Sequence, residues 1–391
     1  MSQSLRFVVF DDPEIHAQLL PLTYTRPVGD LRAGIDTVAC KWEAFLGGKA
    51  AWKGAESYMD EAFPGLESSD SNTVSVAGHI IPDKVLVAAV MALAPDTRLV
   101  SEKGETIALR GSGETAAVTY HGEFAALRNL YDIFMLNDEL ICRDFRRITA
   151  GRKSAPLSDS VTVIGDPSLI FLEEDADVEG AFINTRKGPV YVGSGAQIME
   201  GSMLRGPVAL CEHATVNMGT KIYGATTIGP WCKAGGELNN VVMQSYSNKA
   251  HDGFLGNAVI GSWCNIGAGC VASNLKNDYT PIRLWNYPTA RFLRTGLQFC
   301  GLIMADHSKA GINTMFNTAT VLGVGVNIHG SGFPRNFVPS FSEGSTAGFS
   351  DVSMTKFFET AQRMMSRRGV ELSEADKRMF MAIREAAENF K

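Results

Sequence analysis

A period of six organises the chain between Val192 and Ile328. Val192, Ile198, Leu204, Leu210, Val216, Ile222 and Ile228 recur in one unbroken register. The residue four places after each is small or β-branched: Ala196, Ser202, Val208, Ala214, Thr220, Thr226 and Cys232. The register returns at Ile260 and Ile266 with Cys264 and Cys270. It returns again at Met304, Ala310, Phe316, Leu322 and Ile328 with Ser308, Thr314, Thr320 and Val326. Neither a heptad nor a 3.6-residue helix produces this period. Hexapeptide repeats mark a parallel β-helix, whose short strands turn a corner every six residues. The aliphatic residue points inward and the small one lets neighbouring corners pack closely. Gly193, Gly229, Gly261, Gly267, Gly311 and Gly323 directly follow inward positions. Tight turns are predicted there, and such turns favour residues with free backbone angles.

The 391 residues suffice for two or three domains with sizeable cores. Hydrophobic residues make up 45% and charged residues 20%, as expected of a soluble globular chain. A net charge of −6 disfavours a nucleic-acid partner. No apolar run is long enough to span a bilayer and no secretory signal opens the chain, so no membrane partner and a cytoplasmic location are expected. The seven cysteines form no C-x-x-C pair, and Cys232, Cys264 and Cys270 occupy small-residue repeat positions; buried reduced thiols are expected.

Ahead of the repeat, residues 5–10 read as a buried first strand followed by Asp11–Asp12. Val74–Val76, Thr97–Val100 and Thr106–Leu109 read as strands, Lys84–Leu93 as a helix started by Pro82–Asp83, and Glu123–Asn129 as another helix. This mixture predicts an α/β domain over residues 1–155, with a turn-rich linker at Gly151–Ser160. The β-helix is predicted over 156–345, weakly in register from Val161 through Leu172 and Val178. Three interruptions break it, at Asn184–Val190, Asn239–Leu255 and Asn274–Cys300, and are expected to project as loops that carry binding chemistry. Over 346–391, Ser353–Met365 and Glu374–Phe390 read as two amphipathic helices, the second capped by Ser373 with Asp376. They are expected to serve as a cap or subunit contact, because the open end of a β-helix needs covering.

The second interruption puts His251 just before the resumed repeat, with Asn265 fourteen residues on, close to one coil of three six-residue sides. A neutral imidazole can take a proton from an attacking amine or hydroxyl, and a nearby carboxamide can orient substrate or stabilise developing charge. A solvated loop histidine is the alternative. Asp306, His307, Ser308, Lys309 and Asn313 lie in register yet are polar; a coenzyme A site and a hydrogen-bonded solenoid edge are both open readings. His213, His307 and His329 lack a His-x4-His spacing, and no metal site is expected from them.

The segment His251, Leu255-Gly256, Ile260-Gly261 and Asn265-Ile266-Gly267-Ala268-Gly269 resembles the acetyltransferase half of the bifunctional bacterial enzymes that make UDP-N-acetylglucosamine. The resemblance implies a left-handed β-helix, a homotrimer with sites between neighbouring subunits, and acetyl-CoA as co-substrate. It implies His251 as general base and Asn265 and Asn274 as active-site asparagines. Glu237 falls on a family glutamate and Lys221 on a ligand of the sugar phosphate. Asn248, Phe254 and Asn239 depart from the family's lysine, tyrosine and second lysine; Lys276 and Arg283 would restore the lost positive charge.

In the first domain, Pro21-Leu-Thr-Tyr-Thr-Arg-Pro27 is similar to the segment that follows the phosphate-binding loop of sugar-phosphate nucleotidyltransferases. Such loops cradle phosphates with backbone N–H groups and use glycines to approach them. Here Asp11–Leu20 contains no glycine, and Val28 replaces the usual lysine. Val76-Ala-Gly-His-Ile-Ile-Pro82 resembles the strand end that holds Mg²⁺, with His79 in place of Asp. Arg26 and Arg32 are candidates for phosphate contacts instead. The whole implies a sugar-1-phosphate acetyltransferase, with nucleotidyl transfer to a UDP- or dTDP-sugar as an added activity if Mg²⁺ is held. The alternatives are nucleotidyl transfer alone or a non-catalytic assembly protein of the same two modules.

Overall fold

The computed structural model describes residues 7–66 and 70–391. They form two compact units, one from residues up to Leu31 and from Asp36–Asp132, the other from Arg32–Ile35 and Ile133–Lys391. The first unit is a six-stranded mixed sheet. Its order is Ala51–Lys53, Phe7–Phe10, Val74–Ala77, Thr106–Arg110, Thr97–Ser101 and Ala116–Tyr120. Of the strand expected at 5–10, Leu5 and Arg6 lie outside the described residues. Val9 and Val76 pair in the sheet and are fully buried. Trp42, on the helix Val38–Leu46, is also buried and donates its indole N–H to the Ile80 carbonyl at 2.9 Å. Asp83 caps the helix Lys84–Met91 by accepting from the N–H groups of Val85 and Leu86. The helix expected at Glu123–Asn129 does not form. Ile81 N–H bonds to Ala125 and Leu127 N–H to His79, so that segment's peptide groups are used in an extended pairing.

The second unit is a three-sided parallel β-solenoid. Thr215 pairs with Lys233, eighteen residues on, which is one turn of three hexads. Every aliphatic position of the sequence register lies in one continuous buried core, from Val192 through Ile328. Strands this short are stable only because each peptide group bonds to the coil before and the coil after. The solenoid closes on the antiparallel hairpin of Ser342–Ser345 with Gly348–Asp351, which ends the parallel stacking.

The corners differ from the expectation in an informative way. The glycines after inward positions have no need of unusual backbone angles; all but Gly311 are required by close approach. A Cβ at Gly229 would lie 1.8 Å from the Gln244 carbonyl oxygen, and at Gly323 2.4 Å from the Ser340 nitrogen. At one corner, left-handed backbone angles fall on large residues: Trp231 (φ 60°), Tyr246 (55°), Trp263 (60°), His307 (58°) and Phe341 (55°). Each is held by an N–H bond to the preceding coil, such as Tyr246 to Pro230 and Trp263 to Ser245. Their rings stack into a ladder from His213 through Trp231, Tyr246 and Trp263 to His307, with Tyr246 and Trp263 4.1 Å apart and nearly parallel. Ring contact offsets a backbone cost of about 1 kcal/mol or more per residue.

The three interruptions behave differently. At the first, Ile170 pairs with Val190, twenty residues on, so the coil gains two residues and folds them into a turn. The third projects as expected, as a hairpin of Arg283–Asn286 with Arg291–Arg294 whose Trp285 stacks on Phe337 at 4.1 Å. The second projects no loop. Lys233 pairs with Asn248 only fifteen residues on, so this coil has lost three residues. The strands Glu237–Met243 and Phe254–Ile260 run straight round a corner, through Asn240 and Asn257 in left-handed conformation. The result is a notch.

Both C-terminal helices form, Met354–Ser366 and Glu374–Ala387, with the capping box of Ser373 and Asp376 in place. Phe357 and Phe380 pack edge-on against His307, and Phe357 also meets Phe341, so the helices dock on the aromatic corner. Leu210, fully buried in the solenoid core, tests the shared core: Leu210→Ala should lower stability by about 2–5 kcal/mol in urea unfolding of the intact protein.

Candidate active site

The notch lies at the corner that follows the third solenoid face. Between the third-face and first-face strands most corners hold four residues: Asn217–Thr220, Ala250–Gly253, Gly267–Cys270 and Gly311–Thr314. The coil below His251 makes the same corner with two, Gly235 and Gly236. A Cβ at Gly235 would come within 2.3 Å of the Ala250 carbonyl oxygen, so glycine alone fits beneath the His251 turn. Asn217 reaches across this shortened coil and donates its side-chain N–H to the Ala250 carbonyl at 2.8 Å. His251 itself is exposed.

His251 opens onto a cavity of about 720 Å³. Its floor is the third face, with Lys233, Asn248, Asn265 and Lys309 in consecutive coils. One side is the aromatic corner at Tyr246 and Trp263; the other holds His251, Ala268 and Ile312. The remaining wall is the helix Met354–Ser366 and its end, with Thr360, Arg363, Met364, Arg367 and Arg368. The helix follows the aromatic ladder, from Phe357 on His307 to Arg368, whose guanidinium lies 5.9 Å from the Trp231 ring centre. The cavity thus meets five cationic side chains, Lys233, Lys309, Arg363, Arg367 and Arg368, and no lining residue among those described is acidic. Arg363 pairs with Glu359 at 3.0 Å on the exposed side of the helix. Lys309 donates to the His307 carbonyl at 2.9 Å, and burial lowers its ammonium pKa below the usual lysine value. A lining with five cations and no acidic residue suits a multiply phosphorylated ligand.

His251 and Asn265 therefore share one cavity, though not by direct stacking. The coil here is seventeen residues, so Asn265 stacks on Asn248. Lys221 and Glu237 pair in neighbouring strands of the first face, in the row that continues to Phe254 and Val271. Asn274 lies farther along and donates to the Asn257 side chain at 2.8 Å. None of these three lines the His251 cavity. Lys276 bonds to Thr280 and Pro281, and Arg283 to the Phe292 carbonyl, both within the inserted segment. Asp306 and Ser308 serve the solenoid edge: Asp306 accepts from Ser262 N–H and Ser308 donates to the Gly323 carbonyl. Sequence reading missed Lys233 and the arginines on and just past the helix Met354–Ser366. Their one signal was Arg363 in the last turn of an amphipathic helix, with Arg367 and Arg368 following its end.

In the first unit, the stretch where a glycine loop would stand is the helix Pro13–Gln18. The Asp12 carboxylate accepts from the N–H groups of Glu14 and Ile15, the very donors that a phosphate would need. Asp11 is buried, accepting from Val28 N–H at 2.9 Å and bonding His16 at 2.8 Å. Arg26 pairs with Asp30 at 3.4 Å. Arg32, in the solenoid unit, donates its backbone N–H to Gln244 at 2.7 Å and its guanidinium to the Ile35 carbonyl. His79 is buried with its Nε2 2.8 Å from Glu105, which also takes two bonds from Arg128. Mg²⁺ is a hard cation that takes oxygen ligands. An imidazole already engaged by a carboxylate does not fit it, and no group of metal-ligating side chains occurs among the described residues. Cys232, Cys264 and Cys300 are buried and their thiols are pushed up to about 12 by that burial, whereas Cys40 is exposed and Cys142 half-buried.

The His79 bond, with help from Arg128, holds Glu105 down at about 2. A carboxylate depressed in the folded state adds stability above its unfolded pKa near 4.5, and that stability is lost as pH falls from there toward 2. For a partly exposed group, solvent screening leaves about 1–2 kcal/mol of this. Glu105→Gln should lose that amount at pH 7 and flatten the stability profile below pH 4.5, read by chemical denaturation at pH 3 and pH 7.

Residues 7–153 match the sugar nucleotidyl transferase family model. The chain is 25% identical over 252 residues to the bifunctional protein GlmU of Nostoc sp., covering 58% of this chain and 51% of that protein. It is 33% identical over 105 residues to the bifunctional protein GlmU of Xanthomonas campestris pv. campestris, covering 26% and 22%. The chain spans about half the length of the first of these relatives. Among solved structures, the polySia specific acetyltransferase NeuO matches with a TM-score of 0.24 and 11% identity over 50% of this chain and 82% of that one. No described helix is long and apolar enough to cross a membrane.

Proposed function

We propose that this divergent relative of the GlmU proteins is an acetyltransferase that uses acetyl-CoA and a sugar-1-phosphate acceptor resembling glucosamine-1-phosphate. The observation that carries the reading is the exposed His251 at the mouth of a cavity with five cations and no carboxylate among its described lining. Lys233, Lys309, Arg363, Arg367 and Arg368 hold phosphate groups of the donor in that cavity. His251 takes the proton from the acceptor amine as nitrogen attacks the thioester carbonyl; the C–N bond forms, the C–S bond breaks, and the proton passes to the departing thiolate. Asn265 and Asn248 orient the carbonyl oxygen through their side-chain N–H groups. Lys221, on the first face, is the ligand for the acceptor phosphate, with Glu237 beside it.

Lys221 and Glu237 do not line the same cavity as His251, and a homotrimer is part of the reading for that reason. It is supported by the exposed apolar side chains Phe182, Met203 and Tyr223 on the first face, beside Lys221. Nucleotidyl transfer is not part of it. Asp12 occupies the N–H groups a triphosphate would need, and His79 is engaged where Mg²⁺ would bind. Incubation with UTP or dTTP and a sugar phosphate should release no pyrophosphate; release that is lost on Arg26→Ala would overturn that part.

His251→Ala should cut turnover by about 10²–10⁴-fold with acetyl-CoA and glucosamine-1-phosphate. Its melting temperature should stay at the wild-type value, because the side chain is exposed. Acetyl-CoA should raise the melting temperature of both proteins, since it binds the folded state alone. An unchanged rate in the variant removes the mechanism. No thermal shift with acetyl-CoA, UTP or the sugar phosphate would make the protein a non-catalytic module.

A further inference from the structure

One inward position of the solenoid breaks the rule that the others obey. Ala234, Lys249 and Ile266 occupy the same place on the third face in successive coils, and Lys249 is 1% exposed. An ammonium in an aliphatic core is costly unless it is fully bonded. Its Nζ donates to the His251 carbonyl and lies 3.4 Å from the Gly235 carbonyl. It thereby ties the turn carrying His251 to the shortened corner beneath it. The coil below lacks two of the residues that support the same corner elsewhere; Asn217 donates to the Ala250 carbonyl, Gly269 N–H to Asp252 and Glu237 N–H to Gly253, which leaves the His251 carbonyl to Lys249. Burial lowers the lysine's pKa below its ordinary value, with the nearby Cys270 and Asp252 acting in the opposite direction.

We propose that Lys249 is a positioning residue for His251, holding the 250–253 turn from inside the solenoid so that the imidazole faces the cavity. The inference rests on the acyl-transfer reading for its consequence in turnover, while the hold on the turn is measurable without it. A lysine kept only for stability would be dispensable here, because an apolar side chain of similar length fills the same space without a buried charge.

The test is Lys249→Met in the full-length protein, beside His251→Ala and the double variant. Lys249→Met should melt at or above the wild-type temperature. Its kcat should fall on the order of 10- to 100-fold from misplacement of the base, with KM for acetyl-CoA within about twofold of wild type. In the His251→Ala background it should cost nothing more, because the two act as one unit. Amide hydrogen exchange at residues 250–253 should quicken in Lys249→Met. Unchanged kcat together with unchanged exchange overturns the proposal, as does a lowered melting temperature with kcat intact. If His251→Ala itself keeps full activity, or the wild type has none, the acyl-transfer reading fails. Exchange at 250–253 then still decides whether Lys249 holds the turn, and wild-type exchange in Lys249→Met would overturn it.

Discussion

The solenoid depends on peptide groups that can be paired only by the next coil. Strands of two or three residues form no hairpins with their sequence neighbours, so each N–H and C=O must meet its partner about 4.8 Å away along the axis. That spacing sets the chemistry of the corners. Where two coils' backbones converge, as at Gly229 over Gln244, no side chain fits. At one corner that turns through left-handed residues, a stack of aromatic rings holds the chain, from Trp231 through Trp263 to His307.

The cavity follows from a local failure of that regularity. Loss of three residues between Lys233 and Asn248 leaves the corner at Gly235 and Gly236 two short, and His251 stands over the gap. The aromatic corner beside it is where the terminal helix docks, through Phe357 and Phe380 on His307. Docking there brings Arg363, Arg367 and Arg368 opposite Lys233 and Lys309. One stacked corner thus both stiffens the solenoid and seats the wall that makes the cavity cationic.

The N-terminal unit carries a six-stranded mixed sheet within the residues that match the sugar nucleotidyl transferase family model, and has no glycine between Asp11 and Leu20. Asp12 satisfies the helix N–H groups internally and Asp11 binds Val28, so the loop is closed by its own carboxylates. His79 and Glu105 likewise form a structural pair with Arg128.

The hexad register by itself determined the solenoid and the inward positions it counts, because a repeat of six places one aliphatic residue per face in a shared core. It also singled out His251 and Asn265, through residues that interrupt the register. What it could not carry was the sense of the interruption: a gap in a repeat reads the same whether residues were added or removed, and only coil-to-coil pairing distinguishes the hairpin at Arg283 from the notch at Gly235. Lys249 was hidden for the same reason, since its inward place is fixed by pairing with Ala234 rather than by counting sixes. Arg363, Arg367 and Arg368 lie more than a hundred residues after His251 in the chain, and no local pattern records that Phe357 packs on His307 and so folds them back over the cavity. Period and composition are local properties; the cavity is made by contacts between coils and a returning helix, which only the folded chain brings together.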